Sequence, residues 1–189
     1  MQEIILASSS KQRHDILKCA GIPFVVEDSG YEEDLTLPLP PRELVVHLAG
    51  AKAAAVATRH PNALVIGVDT VVVCTGEVFG KPDSFEHARE ILQTLSGKAH
   101  SIFTGFVIID GKTGQKVTRT VETKVHFKQL SEADIDAYVK TGEPLGKAGG
   151  YAIQGAGVRF VERIEGDMDN VVGLPLGAVL EELAKFGVL

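Results

Sequence analysis

The sequence predicts an α/β fold, a mixed β-sheet with flanking helices, and three observations carry that expectation. Short apolar runs such as Ile4–Ala7 and Leu64–Val68 have the length and make-up of buried strands. Between them lie stretches with apolar residues at helical spacing, bounded by serine caps and glycine stops. Later in the chain, two extended runs are joined by the turn Gly111-Lys112-Thr113-Gly114, which adds antiparallel pairing to the sheet.

Taken in order, Ile4–Ala7 is a buried strand. Ser8-Ser9-Ser10 supplies turn and cap chemistry for a helix over 11–20, with Ile16 and Leu17 inward. Gly21-Ile22-Pro23 stops that helix, and Phe24-Val25-Val26 starts a second strand. An acidic, proline-rich loop over 32–41 leads to a helix whose first turn is Pro41-Arg42-Glu43. Leu44, Val45, Leu48, Ala49 and Ala53 continue it towards His60. Leu64–Val68 is a strand buried on both faces. Asp69-Thr70 follows it, and Val71-Val72-Val73 extends the run into a hairpin through Thr75-Gly76-Glu77 to Val78-Phe79.

Ser84 opens a helix carrying Ala88, Ile91, Leu92 and Leu95, which stops at Ser96-Gly97. Strands over 101–110 and 116–127 come next. Ser131 then caps a helix that runs to about Lys140. The glycine-rich segment 146–157 has no clear period. A strand over 160–164 and a helix over 176–186 close the chain. No linker or repeat divides the sequence, so residues 1–189 are expected to form a single domain.

A chain of 189 residues that is 44% hydrophobic can bury an ordinary globular core. Its 19 Lys and Arg against 25 Asp and Glu give a net charge of -6, which argues against a nucleic-acid-binding face. One small anionic ligand remains compatible with that balance, because a few cations and backbone N–H groups suffice to hold it. Cys19 and Cys74 have no disulfide or metal spacing and read as buried thiols. There is no signal-peptide pattern and no apolar run of membrane-spanning length, so a cytoplasmic protein with no membrane partner is expected.

The strand–serine turn–helix at the start of the chain is an anion site in outline, since the first helical N–H groups lack partners. Ser8 and Ser10 add hydroxyls there, with Lys11 and Arg13 beside them. The same residues also read as a serine cap followed by two solvated cations. Asp69 follows an apolar strand directly, where open α/β sheets place ligand-binding groups, and a buried carboxylate there requires a cation or hydrogen bonds. A turn-capping aspartate is the competing reading. Glu32, Glu33 and Asp34 form an acidic loop that suits a hard divalent cation or plain solvation, and spacing does not separate Glu32 from Glu33.

Lys81 stands in a rigid turn between Gly80 and Pro82. Lys52 is a charge in an alanine-rich helix, and Lys147 and Gln154 lie among glycines. Singly these are ordinary surface residues; together they suit a polyphosphate clamp. The six histidines lack metal spacing, and neither a Walker A motif nor a GxSxG elbow is present.

Six segments in order resemble the Maf family. They are Leu6-Ala7-Ser8-Ser9-Ser10-Lys11-Gln12-Arg13, Gly67-Val68-Asp69-Thr70-Val71-Val72, Gly80-Lys81-Pro82, Leu95-Ser96-Gly97 with His100 and Thr104-Gly105, Lys147 through Gly155, and Val172-Gly173-Leu174-Pro175. The likeness spans nearly the whole chain. It implies an inosine-triphosphatase-like fold with two lobes around a cleft, often a homodimer, and hydrolysis of a nucleoside triphosphate to the monophosphate and pyrophosphate. Through it, Asp69 matches the proton acceptor, and Ser8, Arg13, Glu33, Lys52, Lys81 and Gln154 match positions lining the substrate site. Thr70 and Gln154 resemble the dTTP/UTP branch, whereas the 7-methyl-GTP branch carries Gln and Glu there. Two positions depart from the pattern. The family's SPRR is Ser10-Lys11-Gln12-Arg13 here, and the Asp before the KAG motif is Gly146. Both bear on base preference more than on the reaction.

The resulting expectation is a dTTP/UTP pyrophosphatase of the house-cleaning kind. Mg2+ or Mn2+ would lie on Glu33 and Asp69, and Lys52, Lys81 and Arg13 on the phosphates. Ser8 and Ser10 would help hold phosphate, while Thr70, Gln154 and Gln12 would lie near the base. The alternatives are a purine or 7-methyl-GTP pyrophosphatase, and a non-catalytic nucleotide-binding regulator of cell division.

Overall fold

The computed structural model describes residues 2–188 and contains a mixed α/β arrangement. In chain order the elements are β1 (Ile4–Ala7), α1 (Lys11–Cys19), β2 (Val25–Glu27), α2 (Pro41–Ala57), β3 (Leu64–Cys74), β4 (Glu77–Phe79), α3 (Phe85–Leu95), β5 (Ala99–Asp110), β6 (Lys116–Phe127), α4 (Glu132–Val139), β7 (Val161–Glu165), α5 (Met168–Val172) and α6 (Leu176–Ala184). Strand neighbours run β2-β1-β3-β5-β6-β7, with β4 paired to β3 off that path, seven strands in all. β1 lies parallel to both β2 and β3, while β3/β4 and β6/β7 are antiparallel. This is the mixed sheet that the alternation of helices and hairpins predicts.

The chain divides into two compact units. The first comprises residues Met1–Asp69, Thr104–Val121 and Gly173–Leu189; the second comprises Thr70–Phe103 and Glu122–Val172. Strands β3, β5 and β6 each contribute residues to both.

In the first unit, α1 starts because Ser10 is extended and its hydroxyl accepts from the Arg13 N–H, and Ile16 and Leu17 turn inward. α2 begins with proline in its first turn, where the missing N–H costs nothing. Its inner face of Leu44, Val45, Leu48, Ala49 and Ala53 is fully buried. Two strand glycines let this helix lie directly on backbone. A Cβ at Gly67 of β3 would overlap the Ala49 carbonyl oxygen and sit 2.7 Å from the Ala53 nitrogen. One at Gly105 of β5 would sit 2.6 Å from the Val45 carbonyl carbon. Ile5, Ala7, Ala49, Ala53, Val65 and Val107 pack in the cluster that results.

The second unit has its own core, in which Leu92, Phe127, Tyr138, Tyr151 and Phe160 pack together. α3 and α4 are capped by Ser84 and Ser131, the latter in a complete capping box with Asp134. The β3–β4 hairpin turns through Thr75 and Gly76, both with positive φ (52° and 86°), the handedness that suits a two-residue hairpin. The buried His100 ring bonds the Tyr151 hydroxyl through Nε2 at 2.9 Å and meets Phe127 edge-on. Burial, helped by the neighbouring charge of His126, lowers the His100 pKa from 6.5 to about 4.

Several local expectations need correction. Cys19 is exposed, because α1 directs only Ile16 and Leu17 to the core; its thiol donates to the Asp15 carbonyl at 3.2 Å. Cys74 is buried as expected. β3 runs unbroken from Leu64 to Cys74, as the extended run on either side of Asp69-Thr70 predicts, and the β-branched residues after Asp69 sustain it. Residues 148–150 and 156–160 form short 3-10 turns, so β7 begins at Val161, and the short α5 has no periodic signal to reveal it. Among the described residues no helix is long and apolar enough to cross a membrane.

Gly67→Ala should cost roughly 3 kcal/mol, since backbone rather than a movable side chain blocks the added methyl. Urea unfolding of the variant checks this. His100 yields a pH prediction. The folded state keeps it neutral down to about pH 4, whereas the unfolded chain protonates it near 6.5, so acid favours unfolding across that window. Between those limits the protein should lose about 3 kcal/mol more than its His100→Gln variant, read from urea midpoints at a series of pH values.

Candidate active site

The site in the first unit is set by register. Parallel pairing of β1 with β3 ends at Ala7↔Gly67, after which the first strand turns away and the third continues. Ser8 and Asp69 therefore both lie just past the carboxyl end of β1, where a parallel sheet exposes its ligand-binding edge. Asp69 occupies the same face of β3 as Gly67, two residues on, and that face carries α2. The close approach at Gly67 brings Lys52 of α2 onto the carboxylate.

Lys52 is 5% exposed, and its ammonium donates to Asp69 Oδ1 at 2.5 Å and to Glu33 Oε1 at 2.6 Å. Glu33, though itself in an exposed loop before α2, turns its carboxylate to Lys52; Glu32 is exposed as well, and Asp34 spends Oδ1 on the N–H and hydroxyl of Thr36. Spacing left Glu32 and Glu33 equivalent, and the fold separates them. Asp69 is 2% exposed, and its Oδ2 is buried without a hydrogen-bond partner. Burial raises the Asp69 pKa, against the opposing pull of the Lys52 and Arg13 charges.

Arg13, from the first turn of α1, is half-buried. Its Nε donates to the Gly173 carbonyl at 2.9 Å, and Nη1 to the Val68 carbonyl at 3.0 Å and to Ser8 Oγ at 3.3 Å. Burial lowers its proton affinity while Asp69 and Glu33 restore part of it. Ser8 also accepts from the Ser10 N–H at 3.2 Å, and the Ser10 hydroxyl donates to Gln12 Oε1 at 3.3 Å. Ser8, Ser10, Gln12 and Arg13 thus form one network around the start of α1. Sequence reasoning missed the two backbone carbonyls that hold Arg13. Gly173 has φ 115°, open to glycine alone, and its place in Val172-Gly173-Leu174-Pro175 was the available signal.

The remaining candidates belong to the second unit. Thr70 is half-buried on β3, and Lys81 and Gln154 are exposed. The Gly149 N–H donates to the Gly80 carbonyl at 2.9 Å, so the Gly80-Lys81-Pro82 turn and the glycine-rich segment meet. Gly149 has φ 72°, and a Cβ there would strike the Val72 side chain at 2.6 Å. Glu143 accepts from the Ala156 N–H at 3.0 Å, which fixes the loop just after Gln154.

A hard divalent cation fits part of this arrangement. Glu33 and Asp69 supply carboxylate oxygens, and Asp69 Oδ2 is a buried acceptor without a partner. No group of three or more His, Cys, Asp or Glu converges among the described residues, so further donors would have to come from substrate or water.

Comparison with known proteins identifies the family of the chain. The model of a family described as Maf-like protein matches residues 3–186. A dTTP/UTP pyrophosphatase of Pelotomaculum thermopropionicum is 47% identical over 187 residues, covering 99% of this chain and 98% of that protein. One from Moorella thermoacetica is 47% identical over 188 residues, covering 100% and 97%. A solved structure from Mycobacterium abscessus, described as a nucleoside-triphosphatase / dITP/XTP pyrophosphatase, aligns over 100% of this chain and 99% of its own at 12% identity and a TM-score of 0.47. That last likeness is too slight to carry an argument. With the serine turn, the buried Asp69 and the glycine motifs all in place, and a family match over nearly its full length, the chain belongs to the Maf-like protein family.

Proposed function

We propose that this protein hydrolyses dTTP and UTP, or modified pyrimidine triphosphates, to the nucleoside monophosphate and pyrophosphate. The observation that carries the reading is Asp69: a buried carboxylate with Oδ1 fixed by Lys52, Oδ2 without a partner, and a proton affinity raised by burial. A purely structural aspartate would have both oxygens satisfied, because an unpaired buried acceptor is costly. The pyrimidine preference rests on the similarity to dTTP/UTP pyrophosphatases and on Thr70 and Gln154.

In this reading the oxygen of a water attacks the α-phosphorus of the triphosphate. The bond from that phosphorus to the oxygen bridging α and β breaks, and pyrophosphate leaves with the electron pair. Asp69 Oδ2 accepts the proton released by the water, a role for which its raised affinity suits it. Mg2+ or Mn2+ held by Glu33 and Asp69 would neutralise charge on the phosphates. Lys52 and Arg13 supply fixed positive charge in the first unit, and Lys81 is assigned the same task from the second. Ser8 and Ser10 offer hydroxyls to phosphate oxygens. Thr70 and Gln154 are assigned to the base edge, where an amide presents both donor and acceptor, and Gln12 is a third candidate there. The resemblance further suggests a cytoplasmic homodimer, which sedimentation would test.

Pyrophosphate release from a panel of nucleoside triphosphates with Mg2+ or Mn2+ tests this reading. UTP and dTTP should turn over selectively, and Asp69→Asn should lower kcat by roughly 100-fold or more while remaining folded. Near-normal turnover in that variant would remove Asp69 as the base. A folded protein that turned over no nucleotide would favour a binding role instead.

A further inference from the structure

Four charged groups meet in the first unit with no net charge among them. Lys52 and Arg13 stand against Glu33 and Asp69, and Arg13 interacts electrostatically with both carboxylates. Such a set has little long-range attraction for a free divalent cation. In addition, the Lys52 ammonium already holds one oxygen of each carboxylate that the proposed function gives to the metal.

Lys52 cannot simply withdraw. Its side chain is 7% exposed, and a buried ammonium stripped of both carboxylates would be left uncompensated. It can release Glu33 Oε1 and Asp69 Oδ1 only where other anionic oxygens replace them. A polyphosphate supplies those oxygens together with the charge that draws in the metal.

We propose that Lys52 is a resident competitor of the divalent cation. It holds Glu33 and Asp69 until metal and polyphosphate arrive together, and it then passes from the carboxylates to the phosphate oxygens. Metal and nucleotide binding are thereby coupled, each strengthening the other. This rests on the reading that Glu33 and Asp69 are the metal ligands.

The test is titration of Mn2+ alone into full-length protein cleared of metal with EDTA, following free Mn2+ by electron paramagnetic resonance. Lys52→Met should bind Mn2+ roughly tenfold more tightly than the unaltered protein, and adding Glu33→Gln to that variant should remove the gain. Equal or weaker binding by a folded Lys52→Met overturns the proposal, as does a gain that survives Glu33→Gln. If Lys52→Met does not fold, Lys52→Gln takes its place. Should neither fold, the unaltered protein saturated with α,β-methylene-UTP gives the answer. It should bind Mn2+ more tightly than either the protein or the free nucleotide alone, and an affinity no better than that of the free nucleotide overturns the coupling. Mn2+ affinity is read without turnover, so the two readings separate. Nucleotide hydrolysis with no affinity change sinks this inference alone, and an affinity change without hydrolysis sinks the reaction alone.

Discussion

The contact of Lys52 with Asp69 depends on how closely a helix can approach a strand. The ammonium reaches Oδ1 at 2.5 Å because α2 rests on the backbone of β3 at Gly67, where any side chain would collide with the Ala49 carbonyl. Ala49 and Ala53 keep the helix face thin at the same level. A buried ion pair of this kind is poor evidence of stability, since desolvation offsets most of its Coulombic gain. Its retention in the core fits a chemical role better than a structural one.

Around that pair the electrostatics are finely opposed. Burial drives Asp69 towards its protonated form, and Lys52 and Arg13 pull it back. A carboxylate held between these influences can take up a proton more readily than an exposed one. Arg13 is in turn anchored by two carbonyls and a serine hydroxyl, so its charge is fixed in place before any ligand binds. Fixed charge does not have to reorganise as a reaction proceeds, which is why preorganised sites are effective.

The second unit builds its loops by another device. Its glycine-rich segment is tied to the Gly80 carbonyl, fitted against Val72 by the absence of a Cβ at Gly149, and held near Gln154 by the Glu143 carboxylate. Beneath it lies an aromatic core in which His100 remains neutral to about pH 4. These residues do no proposed chemistry; they hold in shape the turns that carry Lys81 and Gln154.

Helix starts at Ser10, Ser84 and Ser131, the inward residues of α1 and α2, and the hairpin at Thr75-Gly76 were all legible in the sequence. Each depends on neighbours a few residues apart, where capping, periodicity and turn handedness act. The Maf-like motifs likewise marked the candidate residues by type and order. Tertiary structure alone placed Glu33 rather than Glu32 against the Lys52 ammonium, buried Lys52 between two carboxylates, left Asp69 Oδ2 without a partner and tied Arg13 to the Val68 and Gly173 carbonyls. It also exposed Cys19. The reason is physical: burial and charge pairing depend on which distant segments come to share one small volume, and local spacing contains no record of that.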